Sequence, residues 1–219
     1  MRLKYMLVLL MFVFVLGSGG KADSPTTTGR YLAKFFVDQN LRDYFFQCLS
    51  ANEFEKAESL LKTQQSRSPN DPSILGWLAD LRFQAGDIDS AFEYCEKAIE
   101  MDPGYAHTYF DRGSLYLNLE EYDLALVDLR KAVEIDPDYS EFQLALGAAL
   151  LATGSIGESL TYLAIAVLLD PDSATAKFYL AAAYTKEGYQ EKADELIQRI
   201  LTNHPESYEA QALREQMGY

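Results

Sequence analysis

The sequence predicts an all-α protein built as a quasi-linear array of helical hairpins, and three periodic columns predict it. Pro69, Pro103, Pro137, Pro171 and Pro205 stand 34 residues apart at every step. Gly86, Gly154 and Gly188 keep the same step, with Asn52 and Glu120 in the two remaining places. Ala57, Ala91, Ala125 and Ala193 do so again, with Ser159 in the fourth place. A fixed period in this range marks stacked units, each burying an apolar face against the next. It overrides the one or two globular domains that 219 residues and 48% hydrophobic content would otherwise suggest.

The chain begins outside that array. Arg2 and Lys4 precede an apolar run from Tyr5 to Leu16, and small residues follow it, the layout of a secretory signal peptide over residues 1–20. As a helix the run would be roughly 18 Å long against a hydrocarbon core of about 30 Å. The alternative is an uncleaved anchor in which Met1 to Gly20 share the span. Cleavage after Gly20 or Ala22 fits the small residues there, and no cysteine of a lipoprotein signal follows the run. Residues 21–37 read as a linker, with ADSPTTTG at Ala22 to Gly29, and then a possible short helix, RYLAKFFV, at Arg30 to Val37. That stretch either stands alone or lengthens the first helix of the array, with Asp38 as a possible cap.

The repeats follow at about 38–71, 72–105, 106–139, 140–173 and 174–207, with a capping helix at 208–219. In each, a first helix (A) carries apolar residues at helical spacing, as in Leu144, Leu146, Leu150 and Leu151. A turn at the Gly column ends it, because glycine accepts positive φ at little cost. A second helix (B) opens on an acid in four repeats, at Glu55, Asp89, Asp123 and Glu191, where the helix dipole favours negative charge. The Ala column then lets the two helices approach closely. Asp-Pro ends helix B, since proline lacks the N–H needed to continue and pushes the residue before it out of the helical region. The final apolar face needs a cap, which Tyr208 to Tyr219 supplies.

With Tyr109, Arg112-Gly113, Tyr116, Ala125, Leu129, Ala132 and Pro137 in the third repeat, the pattern resembles the tetratricopeptide repeat. Leu146-Gly147, Leu150, Leu163, Ala166 and Pro171 carry it in the fourth, and Leu180-Ala181, Tyr184, Ala193, Ile197 and Pro205 in the fifth. The second shows it at Leu75, Leu78-Ala79, Ala91, Ala98 and Pro103, and the first most weakly at Leu41, Tyr44-Phe45, Ala57, Leu61 and Pro69. The resemblance covers residues 38–219 and implies a right-handed α-solenoid. It also puts Cys48 and Cys95 in core columns that are not neighbours, so two unpaired thiols are expected although an exported chain permits a disulfide. Trp77 is expected to pack between the first two repeats.

Signs of chemistry are absent. His107 and His204 are the two histidines and lie almost three repeats apart, and no HExxH, GxSxG, P-loop or GxGxxG occurs. The acid pairs Asp136/Asp138 and Asp170/Asp172 flank prolines and lack the glycine and distant glutamate of a calcium loop. No enzyme activity, cofactor or metal is expected. A net charge of −14 without clustered Lys and Arg argues against nucleic acid.

Two surfaces are the candidates for binding. The resemblance implies a concave groove lined by the A helices, at Phe46, Phe83, Phe110, Leu117, Leu144, Leu151 and Phe178. Arg42, Leu49, Gly76, Asp80, His107, Ser114, Ala148, Ala182 and Thr185 lie in the same columns. Chaperone-type members grip a terminal carboxylate there with Lys, Asn and Arg, and the places of that clamp hold Phe, Leu, Ala and Ser here. The expectation is an apolar trough for a hydrophobic or amphipathic segment, or one filled by RYLAKFF of this chain itself. The second surface lies on helix B of the fourth repeat. The outward columns that hold Glu93, Glu96, Lys97 and Glu100 in the second repeat hold Thr161, Ala164, Ile165 and Leu168 here, with Val127 in line from the third. An apolar outer face of this kind usually marks a contact.

The function expected is a non-enzymatic scaffold that binds protein partners in an extracytoplasmic place, periplasmic, secreted or lumenal. Envelope machinery, pili or secretion systems are the assemblies that exported proteins resembling this one serve. The alternatives are a homo-oligomer, such as a dimer through the fourth repeat, and a small-molecule-binding or regulatory module of a larger enzyme complex.

Overall fold

A computed structural model describes residues 39–217, and the expected signal, linker and RYLAKFFV segment lie outside them. All the regular structure among the described residues is helical. The helices are α1 (Gln39–Ser50), α2 (Phe54–Arg67), α3 (Pro72–Gln84), α4 (Ile88–Met101), α5 (Ala106–Asn118), α6 (Tyr122–Ile135), α7 (Ser140–Thr153), α8 (Ile156–Leu169), α9 (Ala174–Glu187), α10 (Gln190–Asn203) and α11 (Tyr208–Gln216). From α4 on, every helix starts 34 residues after its counterpart one repeat earlier.

The chain divides into two compact units, 1–119 and 120–219. In the first, α1 packs on α2, α2 on α3, α3 on α4, and α5 on both α3 and α4. In the second, each helix from α6 to α11 packs on the next, and α9 also packs on α7 and on α11. Within the units α2, α4, α8 and α10 thus each sit between two helices, while A helices such as α3 and α5 also touch directly and share a face.

The turn column explains how each hairpin closes. Gly86, Gly154 and Gly188 have φ of 82°, 86° and 88°, and the two non-glycine occupants follow them, Asn52 at 57° and Glu120 at 60°. Beyond four of these residues the next amide donates back to a carbonyl of the A helix, at 2.8 to 2.9 Å: Glu53 to Cys48, Asp87 to Arg82, Ser155 to Leu150 and Tyr189 to Tyr184. This is the glycine-type helix stop, in which a left-handed residue lets the chain satisfy the last carbonyls.

The small-residue column is fully buried at all five places: Ala57, Ala91, Ala125, Ser159 and Ala193. Ser159 tolerates burial because its Oγ donates to the Gly147 carbonyl at 2.7 Å. Helices α7 and α8 run so close there that a Cβ on Gly147 would stand 2.6 Å from Leu163 Cγ and 3.1 Å from Leu163 N. Asp102, Asp136 and Asp170 end their B helices in extended or near-extended backbone, ahead of the prolines. All five B helices carry an acid in the first turn, since Glu158 supplies it in the fourth.

In the first unit Phe45, Cys48, Leu61, Ile74, Leu78 and Leu81 form one apolar cluster. Trp77 meets Phe45 edge-on at 6.0 Å, bridging α1 and α3 as expected. Cys95 lies in a separate cluster with Ala79, Ala91 and Leu115, and both cysteines are buried free thiols. In the second unit the largest fully buried side chains are Tyr179, Phe142, Leu146, Leu150, Leu151 and Leu163.

Glu120 holds a left-handed conformation that costs a side-chain-bearing residue about 1–2 kcal/mol, partly offset by the greater unfolded-state entropy of glycine. Glu120→Gly is expected to stabilise the protein by about 0.5–1 kcal/mol. Gly154→Ala should destabilise it by about 1 kcal/mol, although nothing lies within 4 Å of the added Cβ. Urea unfolding midpoints of the two variants, moving in opposite directions, check the assignment.

Candidate interaction surfaces

The A-helix face of the first unit is built by α3 and α5. Phe83 and Phe110 are half-buried there. Phe46 lies on α1, but its side chain is outside what the structure describes. Leu117 is buried, so it packs inward and offers no surface for a ligand.

This face is not simply apolar, which corrects the expected trough. Asp80 on α3 lies in a groove column, and Asp111 on α5, a residue the repeat pattern does not single out, leans against α3 beside it. A Cβ on Gly76 would stand 2.2 Å from Asp111 Oδ2, so the carboxylate occupies room that any other residue at position 76 would take. Asp111 was detectable in principle as an acid in the column that holds Trp77, Ala145 and Tyr179 in three repeats and Asp43 in the first. Burial pushes the Asp111 carboxyl up to about 8, with the charge of Asp80 adding to it. Burial also pushes Asp80 up to about 6, opposed by a hydrogen bond that Gln84 Nε2 donates at 2.8 Å. His107 stacks on Tyr105 at 5.2 Å, and burial pulls it down to about 4, so it is neutral at pH 7. Ser114 Oγ, one turn beyond Asp111, is buried without a hydrogen-bond partner.

On the A-helix face of the second unit, Leu144 is half-buried. Leu151 is 1% exposed and Phe178 7%, and Phe178 meets Tyr179 edge-on at 5.6 Å. Both belong to the core and not to an open wall, because the small Ala148 and Ala182 beside them leave no depth between α7 and α9 and are themselves buried. The groove residues that are half-buried rather than buried are therefore Phe83, Phe110 and Leu144.

The B-helix surface of the second unit is exposed at most of the expected places. Leu168 is 77% exposed and Val127 67%, Thr161 and Ala164 are exposed, and Ile165 is half-buried. Arg130 on α6 donates to both carboxylate oxygens of Glu158 on α8, at 2.5 and 3.0 Å. The pair ties the outer faces of the two helices together and neutralises the one acid within the apolar stretch of α8. Among the described residues no group of three His, Cys, Asp or Glu side chains could hold a metal ion.

The acid pair has a pH signature whose sign can be worked out. A carboxyl whose folded value is raised binds more protons folded than unfolded, so its contribution to stability falls as pH rises from about 4 to the folded value. His107, lowered in the fold, works the other way between about 4 and 6.5, and stability rises with pH there. Of these three groups only the aspartates act above 6.5, with Asp111 the last to lose its proton near 8. The melting temperature is expected to fall between pH 6.5 and 8.5, and Asp111→Asn should remove most of that fall. Thermal melts of both proteins at the two pH values check it.

Among known proteins, the family profile described as Tetratricopeptide repeat matches residues 106–139, and a second of the same description matches 49–106 and 144–208. No curated protein sequence matches the chain. Among solved structures, TTC0263, a thermophilic TPR protein of Thermus thermophilus, is similar with a TM-score of 0.64 at 22% identity, over 82% of this chain and 96% of that one. YrrB, described as a TPR protein with an unusual peptide-binding site, gives 0.60 at 21%, over 79% and 89%. MamA of Desulfovibrio magneticus RS-1, from its residue 41 on, gives 0.60 at 21%, over 77% and 95%. At such identities the structural likeness speaks for the fold alone. With the profile matches spread over most of the array, the chain belongs to the tetratricopeptide repeat family.

Proposed function

We propose that the protein is a non-enzymatic scaffold that holds a segment of a partner protein on the A-helix face of its first unit. The observation that carries this is the juxtaposition of two half-buried rings, Phe83 and Phe110, on adjacent A helices with the polar groups of Asp80, Asp111 and Ser114 beside them. Apolar anchors with a few placed polar groups are what a peptide-recognition face requires. Membership of a repeat family and likeness to YrrB, a protein described by its peptide-binding site, support the same reading. We place the protein outside the cytoplasm, the basic start and apolar run of residues 1–20 serving as a signal or an anchor.

Crosslinking in the native compartment, followed by identification of the partner, gives the assay. Phe83→Ala with Phe110→Ala is expected to weaken that partner at least tenfold while Leu168→Glu leaves it unchanged. A partner held equally well by the folded double variant removes the groove from the account.

A second reading is favoured by one observation, the exposure of Leu168 on α8, whose single acid is already paired, with Val127 exposed on α6. Copies carrying a net charge of −14 repel one another, and an uncharged face is where they can still meet. On this reading the protein is a dimer at micromolar concentration and Ile165→Glu/Leu168→Glu makes it a monomer. Light scattering decides, and a monomeric wild type ends the idea.

A further inference from the structure

We infer that the A-helix face of the first unit takes a cationic side chain, a lysine or arginine on an otherwise apolar protein segment, at Asp80 and Asp111. The inference rests on the groove reading above and says what chemistry the segment must carry.

The argument begins with a missing side chain. In the column of Gly76 the next three repeats hold Phe110, Leu144 and Phe178. Only at Gly76 is the place empty, and the Asp111 carboxylate fills it, with Oδ2 where a Cβ would all but touch it. The carboxylate is thereby drawn against α3 and towards Asp80. Two acids brought together away from bulk water repel each other and lose hydration.

Nothing among the described residues compensates them. Among the described residues no hydrogen-bond donor or cation meets Asp111, and the charge that acts on it is that of Asp80. Asp80 has the Gln84 amide. The guanidinium on the same helix, Arg82, is committed to Glu58 on α2 and lies 3.7 Å from Asp87. His107, on α5, is held neutral by burial.

An independent observation points the same way. Ser114 Oγ is buried without a partner, on α5 one turn past Asp111 and in the same repeat position as Asp80. Asp80, Asp111 once it gives up its proton to an arriving cation, and an orphaned hydroxyl are together acceptors for a group with several donors. An ammonium has three and a guanidinium five, whereas a lone metal ion would find too few ligands. Phe83 and Phe110 suit the remainder of such a residue, since a lysine or arginine stem packs on apolar surface and its charge is favoured over a ring face.

Random twelve-residue peptides displayed on phage and selected on the full chain test this. Binders are expected to share one Lys or Arg flanked by apolar residues. A synthetic binder should lose at least tenfold in affinity on Asp80→Asn/Asp111→Asn. Changing its basic residue to norleucine should cost the same on the wild type and nothing further on the double variant, as coupling between the groups demands. Binders without a basic residue, or indifferent to the double variant, overturn the cationic subsite and leave the groove standing. Binders indifferent to Phe83→Ala and Phe110→Ala as well, or no binders, overturn both. Asparagine keeps the shape and removes the repulsion; should the double variant nonetheless fail to fold, the norleucine comparison on the wild type decides alone.

Discussion

Every hairpin depends on one close approach, where the small-residue column of helix B meets helix A. The five side chains there are methyl or hydroxymethyl groups with no exposure at all. Growing one by even a few atoms would force displacements costing about 1–3 kcal/mol, because the interior has no slack to absorb them. Ser159 shows how little the constraint yields: its hydroxyl fits because the Gly147 carbonyl stands 2.7 Å away, on the one facing residue with no Cβ. The positive-φ turn belongs to the same constraint. It returns the chain within three residues, so helix B begins close enough to reach that contact.

Where the packing is looser, the repeats trade one kind of interaction for another. Glu58 and Arg82 join α2 to α3 by an ion pair, and 34 residues later the same two places hold Phe92 and Tyr116, with ring centroids 4.8 Å apart. The corresponding residues in the following step are Leu126 and Leu150. Partial burial raises Glu58, but hydrogen bonds from Arg82 and Lys62 outweigh it and hold its carboxyl below the usual range. A surface ion pair contributes under about 1 kcal/mol, and a ring pair adds about 0.5–1.5 beyond its area. These are similar amounts, so this seam accepts charge, rings or aliphatic groups without upsetting the stack, while the small column accepts almost nothing.

That difference explains what was legible in the residues. The period gave the helices and their stops, and it placed Asn52 and Glu120 in a left-handed column that composition alone would never assign to a glutamate. The exposed patch was readable too, because Thr161, Ala164 and Leu168 stand where other repeats carry charge. The groove was legible only in part. A repeat position says which way a side chain points, not how much room its neighbours leave. Phe83 stays only half-buried, yet Leu117 and Leu151 in its own column are buried. Asp111 escaped notice because its column reads as core, and its carboxylate finds space only through the absent side chain of Gly76.

The two surfaces then make opposite demands on a partner. On the outer face of α8 the chain has set aside charge, leaving Leu168 open and its single acid neutralised by Arg130. A partner there gains by excluding water from apolar area and needs no matching group. Beside Gly76 the chain has done the reverse, sinking two carboxylates and a hydroxyl into a face otherwise walled by phenylalanine. Holding these two acids together costs the fold hydration and repulsion that apolar residues would not incur. Rules of packing broken in this way are broken most often where a protein binds something. The acids weaken binding of a purely apolar segment and reward one that brings a positive charge, so they act on which partner is accepted more than on how tightly the face can hold.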